Sequence, residues 1–535
     1  MPMQFIRTLT LTLLLFPLAG FAAPRILYTD IVTGPNTGGE GNNGAYLTIF
    51  GNGFGASGTV TINGIAAASV KQWTDTKITV QPGSAVTSGA IKVTSGGGDS
   101  NTDQTFTVVP GKIFFVSLTG NDSTCVAGDI ARPCRNIQNT FNRSDFGPGD
   151  HIVVRGGNWS DEYTRYGSFF SVVDKSGTAA APMVIMGYPT ETVTLVRTTQ
   201  DRGIHSWNTA GHFVIANFHL DARQWGVSIG LTPGTVDVRV VNNEVFNFYE
   251  DSGGAAAIDG SGKQYRIFGN HVHDNGGSKL YHGLYFDSRD TTNGGPDDIE
   301  IAYNHIHHQT GGRGIQIYGD TGTPIKNVRI HHNLIHDIAL DGILFARDTT
   351  TGLKAYNNVV YRTAVAALRG PSADIGTSGG CIRFDNPATD AEVYNNTFAD
   401  CAVDGDVDSA AFRFDSAARV VIRNNIASGG KYYVGTPPAN RTISNNLWFG
   451  AGTAPSWDTA PVTGDPLFID VSVKNYRLQT SPLSPAIDRG FALNGAVTDD
   501  FDGNVRPQGS AYDIGAFESS GTTLPAPRNV RVIKN

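Results

Sequence analysis

The stretch "YRIFGNHVHDN" (residues 265–275) returns as "IEIAYNHIHHQ" (299–309) and "VRIHHNLIHDI" (328–338), and this recurrence decides the fold. Each phrase alternates apolar and polar residues, reaches an Asn, and alternates again. Upstream the phrase is "VRVVNNEVFNF". Downstream it becomes "LKAYNNVVYRT", "AEVYNNTFADC", "VVIRNNIASGG" and "RTISNNLWFG". The shared Asn falls at 243, 270, 304, 333, 358, 396, 425 and 446. A second phrase follows many of them: "AAAIDG", "HGLYFD", "RGIQIYG", "DGILFAR", "GCIRFDN" and "AAFRFDS". A period of two marks strands, and one such unit cannot bury its apolar side alone. Stacked at a rung spacing of about 4.8 Å, the units bury one continuous core. The pattern predicts a parallel β-helix, right-handed by the usual crossover preference.

Composition agrees with many short strands joined by tight turns. Of 535 residues, 65 are Gly and only 16% are charged, with a formal net charge of -8. This balance leaves no electrostatic footprint for nucleic acid. It does not exclude an acidic polymer, because local fields can oppose net charge. The opening "MPMQFIRTLTLTLLLFPLAGFAAPR" places Arg7 before a short apolar run and small residues at Gly20 and Ala22. It reads as a signal peptide over residues 1–22, and no other stretch is long enough to span a membrane. Export to a secreted or periplasmic location makes disulfides the default for the four cysteines. The simplest of three connectivities is Cys125–Cys134 with Cys381–Cys401.

Residues 27–109 carry short β-rich runs bounded by Gly, Asn and Pro, which suggest a β-sandwich. The runs "YLTIFGNGFG", "VTINGIAAASVKQWTDTKITVQP" and "GAIKVTSGGG" resemble the immunoglobulin-like IPT/TIG family. That resemblance implies a spacer or a sugar-binding appendage. Trp73 reads as a core or edge aromatic rather than a sugar platform.

From residue 113 to 518 the chain reads as the β-helix with its capping segments. "KIFFVSLTGNDSTCVAGDIARPCRNIQNTF" opens it; "DPLFIDVSVKNYRLQTSPLSPAIDRG" and "DFDGNVRPQGSAYDIGAFE" close it. Together with the Asn phrases these resemble bacterial secreted right-handed parallel β-helix proteins of the pectate-lyase-like superfamily. The resemblance speaks for fold more than reaction, because that superfamily holds lyases, hydrolases, epimerases and non-enzymatic scaffolds. Residues 519–535 read as a flexible tail. The expected fold class is all-β: an immunoglobulin-like sandwich, then a right-handed parallel β-helix.

All 13 histidines lie between His151 and His336. His273, His307 and His336 each sit three places after a repeat Asn, so they should stack along the helix, as a ladder or a substrate contact. Their counterparts are Phe246, Tyr361 and Ala399. A zinc or nickel ion shared between adjacent imidazoles is the sharper alternative.

Alternation in the second phrase turns Tyr285 and Asp287 outward, with Gln316 and Tyr318, Arg383 and Asp385, and Arg413 and Asp415. Register by the phrase sets two columns: Asp259, Asp287, Tyr318, Ala346, Asp385, Asp415, beside Ala257, Tyr285, Gln316, Leu344, Arg383, Arg413. Phenols, carboxylates and guanidiniums along a groove suit an extended, acidic polysaccharide, with Arg383 and Arg413 positioned for uronate carboxylates. Asp259, Tyr318, Asp385 and Asp415 are the further binding candidates.

The segment "HVHDNGGSKLYHGLYFDSRD" (271–290) departs most from the repeat, and two mechanisms fit it. In β-elimination a base takes the C5 proton of a uronic residue, a cation stabilises the enediolate, and an acid assists the leaving oxygen. Lys279 or His282 would be the base, Tyr285 the acid, and Arg289 or Arg313 the neutraliser. Calcium would be an alternative neutraliser, held by Asp287, Asp290, Asp297 or Asp298. Related lyases use a Lys or Arg base, and related epimerases carry a Tyr with an Asp-Pro-His phrase that "YFDSRD" lacks. In hydrolysis two carboxylates, Asp259 with Asp287 or Asp287 with Asp290, would flank the glycosidic bond. A non-catalytic binding or matrix protein is the third class. The expected partner is a polysaccharide, with the chain a monomer.

Overall fold

The structure is a computed structural model. It describes residues 23–160, 168–196, 202–207, 211–222, 225–230, 234–248, 255–291, 294–319, 323–347, 350–369, 379–385, 390–401, 404 and 407–519. The expected signal peptide and nearly all of the expected tail lie outside the described residues.

From Ile113 the chain winds as a parallel coil. Among the described residues, three parallel sheets of 13, 12 and 10 strands run the length of the body. Each turn of the coil contributes to them in order, for example Lys263–Phe268 to the first, His271–Asn275 to the second and Tyr281–Asp287 to the third. Inward side chains stack from rung to rung. Val272, Ile306, Ile335 and Val360 line the second sheet's inner face, and Leu284, Ile315, Ile343 and Ile382 the third's. All belong to one buried cluster running through the body. Each such side chain contributes about 1.5–3 kcal/mol by leaving water.

The repeat Asn makes the corner between the first and second sheets. The residue before it takes a left-handed conformation, as at Asn242, Gly269, Asn357, Asn395, Asn424 and Asn445. Asn and Gly adopt that region at least cost, which explains the "NN" and "GN" pairs. The ladder Asn then donates through Nδ2 to the next Asn's Oδ1. The chain of bonds runs 243→270, 270→304, 304→333, 333→358, 358→396, 396→425 and 425→446, at 2.9–3.1 Å. Asp458 terminates it, accepting from Asn446 at 3.0 Å. Two corners use bulkier left-handed residues, Tyr303 and His332. Each is where another part of the chain docks. Tyr303 stacks on Tyr28 at 4.9 Å, and His332 contacts the Asp500 carbonyl at 2.8 Å.

Residues 25–108 form two small sheets. Among the described residues one has four strands, ordered Arg25–Thr29, Leu47–Asn52, Lys77–Gln81, Ser69–Trp73. The other is built around Gly58–Ile62, Gly89–Ser95 and Thr105–Val108. Both share one core, which also takes in outward residues of the first helical sheet: Val153, Met186, Val214, Ala216, Val241 and Phe268. Arg239 donates to the Thr29 carbonyl at 2.7 Å across this junction. Trp73 is an edge aromatic, its indole donating to the carbonyls of Phe54 and Gly55 at 3.2 Å.

The C-terminal segment folds back along the body. Phe468, Tyr476, Leu478 and Ile514 cover outward Val359, Tyr361, Ala399 and Ile426 of the second sheet. Leu493, Val497 and Tyr512 cover Tyr394 and Val421 of the first. The same segment reaches the N-terminal unit, where Asn52 donates to the Asp502 carbonyl at 2.8 Å. Apolar packing by docked segments thus falls on the first and second sheets, while the third presents a polar outer face.

Both disulfides pair as expected, Cys125–Cys134 and Cys381–Cys401. The second ties buried positions at the entrance to the third sheet and the end of a second-sheet strand, 20 residues apart. Replacing both its cysteines by alanine is expected to lower unfolding free energy by roughly 3 kcal/mol. Denaturant titration under oxidising conditions measures it.

Candidate functional site: the outer face of the third sheet

Strand register places one outward column as Ser228, Asp259, Tyr285, Gln316, Leu344, Arg383, Arg413. The second runs Asp287, Tyr318, Ala346, Asp385. Tyr285, Arg383 and Arg413 therefore share one wall. Two expectations need correction. Asp259 lies opposite Tyr285, not Asp287, because Ile258 packs against Leu284 rather than Phe286. Ala257 is then in the core instead of facing the groove. Asp415 leaves its column because a bulge sets Asp385 opposite Ser416.

Two ion networks run along this face. In the first, Arg289 bridges Asp259 at 3.0 Å and Asp287 at 2.6 Å. Asp287 points outward yet is buried, with the Arg289 guanidinium and backbone N–H on its carboxylate. Burial pushes its carboxyl above the ordinary range, against the pull of Arg289. One guanidinium faces two carboxylates, so Arg289 is already neutralised and is a poor stabiliser of a substrate anion.

The second network centres on Asp341, a residue that spacing alone did not single out. It is fully buried and meets Arg313 at 3.0 Å and Arg383 at 3.6 Å. Arg383 also binds Asp415 at 2.6 Å and Asp385 at 3.0 Å, and Arg413 reaches Asp415 at 3.1 Å. Burial raises the Asp385 carboxyl. Arg313 extends further to Gln316 Oε1 (3.3 Å) and the Lys279 carbonyl (3.2 Å).

A stripe of rings lies between the networks. His282 stacks on Tyr285 with centroids 5.4 Å apart, Tyr285 lies 6.0 Å from Tyr318, and Arg347 sits 5.4 Å over Tyr318. His282 is buried; desolvation and then the Arg313 charge hold its pKa well below the usual value. Its Nδ1 accepts the Arg313 backbone N–H at 3.4 Å. The neutral ring therefore carries its proton on Nε2 and orients Tyr285, and it has no free lone pair to serve as base. Lys279 stands exposed on the turn entering this strand.

The proposed calcium carboxylates do not gather. Asp290 turns into the body and accepts the Gly234 N–H at 2.9 Å. Asp297 and Asp298 sit on a first-sheet strand, where Asp297 accepts from Asn327 and Asp298 pairs with Arg266 and Arg329. Asp287 is taken by Arg289. These residues do not fit a calcium site.

On the second sheet, His273, His307 and His336 stack in register between Phe246 and Tyr361, with ring separations of 4.6–5.5 Å. The sequence reading missed a parallel column, Glu244, His271, His305, one place after each repeat Asn. Its signal was the identity of residues 271 and 305.

The family model described as "Right handed beta helix region" matches residues 281–447. A cyclomaltodextrin glucanotransferase of Niallia circulans is 31% identical over 166 residues, 30% of this chain and 21% of that relative. The chain thus spans about a fifth of the relative's length. Among solved structures, pectate lyase Pel9A superposes with a TM-score of 0.53 at 14% identity, over 77% of this chain and 96% of that one. A lacto-N-biosidase from Eubacterium ramulus gives a TM-score of 0.41 at 14% identity, over 66% of this chain and 67% of that one. The continuous coil, the family match and the Pel9A superposition agree that this chain folds as a right-handed parallel β-helix of the pectate-lyase-like type.

Proposed function

We propose that this chain is an exported bacterial enzyme that cleaves an acidic, uronate-containing polysaccharide by β-elimination on the outer face of the third sheet. The observation that carries this reading is the outward column Tyr285, Gln316, Leu344, Arg383, Arg413, flanked by Tyr318 and Lys279 on a polar face. Fold likeness to Pel9A is compatible with it and does not choose the reaction. Lys279, exposed on the turn that enters the strand, takes the C5 proton. Arg313, held by Asp341, faces the uronate carboxylate and stabilises the enediolate. Tyr285, oriented by His282, protonates the leaving oxygen. Arg383, Arg413, Asp385 and Asp415 contact neighbouring sugars. The two disulfides fit an oxidising compartment. The N-terminal pair of sheets, read as an IPT/TIG-like sandwich, braces the first sheet.

A second reading rests on one observation. Arg289 draws Asp259 and Asp287 together, and the Asp287 carboxyl is raised, as a general acid needs. That pair would serve a glycoside hydrolase.

A panel of uronic and neutral polysaccharides separates the readings. Elimination yields the ultraviolet band of an unsaturated uronate, hydrolysis yields reducing ends without it, and a binder retains polymer and does neither. The expected result is the ultraviolet band, undiminished by chelator. Reducing ends alone would transfer the assignment to Asp259 and Asp287.

A further inference from the structure

The second sheet carries a cluster that the groove does not use. His271, His305 and His307 each offer a ring nitrogen, all within 4.8 Å of one another, on adjacent rungs. His271 Nε2 and His307 Nε2 face each other at 2.8 Å. Each of these rings is held from behind. Glu244 Oε1 lies 3.4 Å from His271 Nδ1, and His308 Nδ1 lies 2.6 Å from His307 Nδ1. The His305 ring stands 4.5 Å from His307 and 5.0 Å from His271, and its own Nε2 meets His336 Nε2 at 2.8 Å, so it reaches the ion once that contact opens. We propose that His271, His305 and His307 bind one divalent transition-metal ion, zinc by ligand chemistry, with Glu244 and His308 as orienting partners.

Proton positions decide what can lie between the facing rings. A ring that donates through Nδ1 to Glu244 leaves a lone pair on His271 Nε2. If His307 likewise donates through Nδ1, two lone pairs confront each other at 2.8 Å. Something positive must lie between them: a shared proton, or a metal. Tetrahedral zinc with bonds of about 2.0–2.1 Å needs nitrogens about 3.3 Å apart, so the pair opens by about 0.5 Å. The proton on His307 Nε2 moves to Nδ1, and exposed His308 shifts its own to Nε2, so the charge balance is kept. Three imidazoles leave the fourth position to water.

Glu244 also lies 3.0 Å from His273 Nε2 and 2.5 Å from His219 Nδ1, so its carboxylate stands behind His271 within a cluster of imidazoles. A carboxylate behind a ligating imidazole raises its basicity and fixes its tautomer. The ion would staple the strands His271–Asn275 and His305–Gln309 where the apolar cover of the second sheet has not yet begun.

The test uses the full chain, stripped with chelator and titrated with zinc alone against a chromophoric competitor. One zinc per chain is expected, with a raised thermal midpoint. Cobalt in its place should give the intense visible bands of a low-coordinate nitrogen site. His271→Gln and His307→Gln should each weaken zinc by more than about tenfold, and Glu244→Gln by roughly tenfold or more. His212→Gln, on the first sheet, should leave binding unchanged. In the unmutated chain zinc should shield His271, His305 and His307 from imidazole acylation, a readout that needs no variant to fold. Absence of uptake, uptake equal in the His271 and His307 variants, or unshielded histidines would each overturn the site. Activity in the groove is independent of all these outcomes.

Discussion

Lys279→Ala is expected to lower β-elimination by roughly a thousandfold while shifting unfolding free energy by less than about 0.5 kcal/mol. The asymmetry follows from where the side chain sits. Lys279 is exposed on a turn, and Arg313 uses its backbone carbonyl, which alanine retains. The side chain lies at the surface, so a loss of rate with an intact fold is attributable to the missing base. His282→Ala should also abolish most turnover, by a different route. It removes the ring that stacks on Tyr285, so the acid loses its orientation. The buried space it vacates lowers stability as well. Rates on the responding polymer, with thermal melts of both variants, check the pair. Full activity in both would remove this site, and full activity in the Lys279 variant alone would remove the lysine as base.

The largest effect on stability is expected at the centre of the Asn ladder. In Asn333→Ala, the Asn304 N–H (3.1 Å) and Nδ2 (3.0 Å) lose their shared acceptor. The Ile301 carbonyl and Asn358 Oδ1 lose a donor at 2.9 and 3.0 Å. Asn333 is completely buried, so water cannot replace them. Leaving a buried group unsatisfied costs about 1–3 kcal/mol, so a total on the order of 4 kcal/mol is expected from these groups. Asn333→Asp keeps the acceptor but loses the donor and should fall between. Denaturant midpoints of the three proteins measure the order. A loss below about 1 kcal/mol would mean that the corner is held by its backbone alone.

The ladder was legible because one residue type does two jobs there. Asn neighbours tolerate the left-handed corner, and the Asn side chain is both donor and acceptor, so it pairs with its own copies. Counting three places from it found His273, His307 and His336. His271 and His305 escaped because Glu244 and Leu334 break the likeness in their column. Asp259 was misplaced because "AAAIDG" offers only one large apolar residue, and Ile258 fits either of two inward positions. Asp341 lies in the turn before its strand, and its partners come from the rungs on either side, so no linear spacing announces it. Docking of the N-terminal unit did have a sequence signal. "HIVV", "MVIMG" and "HFVIA" are apolar at successive positions rather than alternate ones, which is how strands covered on both faces read.

The bond between Asn52 and the Asp502 carbonyl, with the His332 contact to Asp500, ties the N-terminal unit, the C-terminal segment and a central rung together. Stacked repeats ordinarily fray from their outermost turns, since each touches only its neighbours. Here the N-terminal unit and the C-terminal segment clasp one another. The last lock forms only after residue 502 has emerged, so the finished molecule should resist digestion from either extremity and yield, when it yields, all at once.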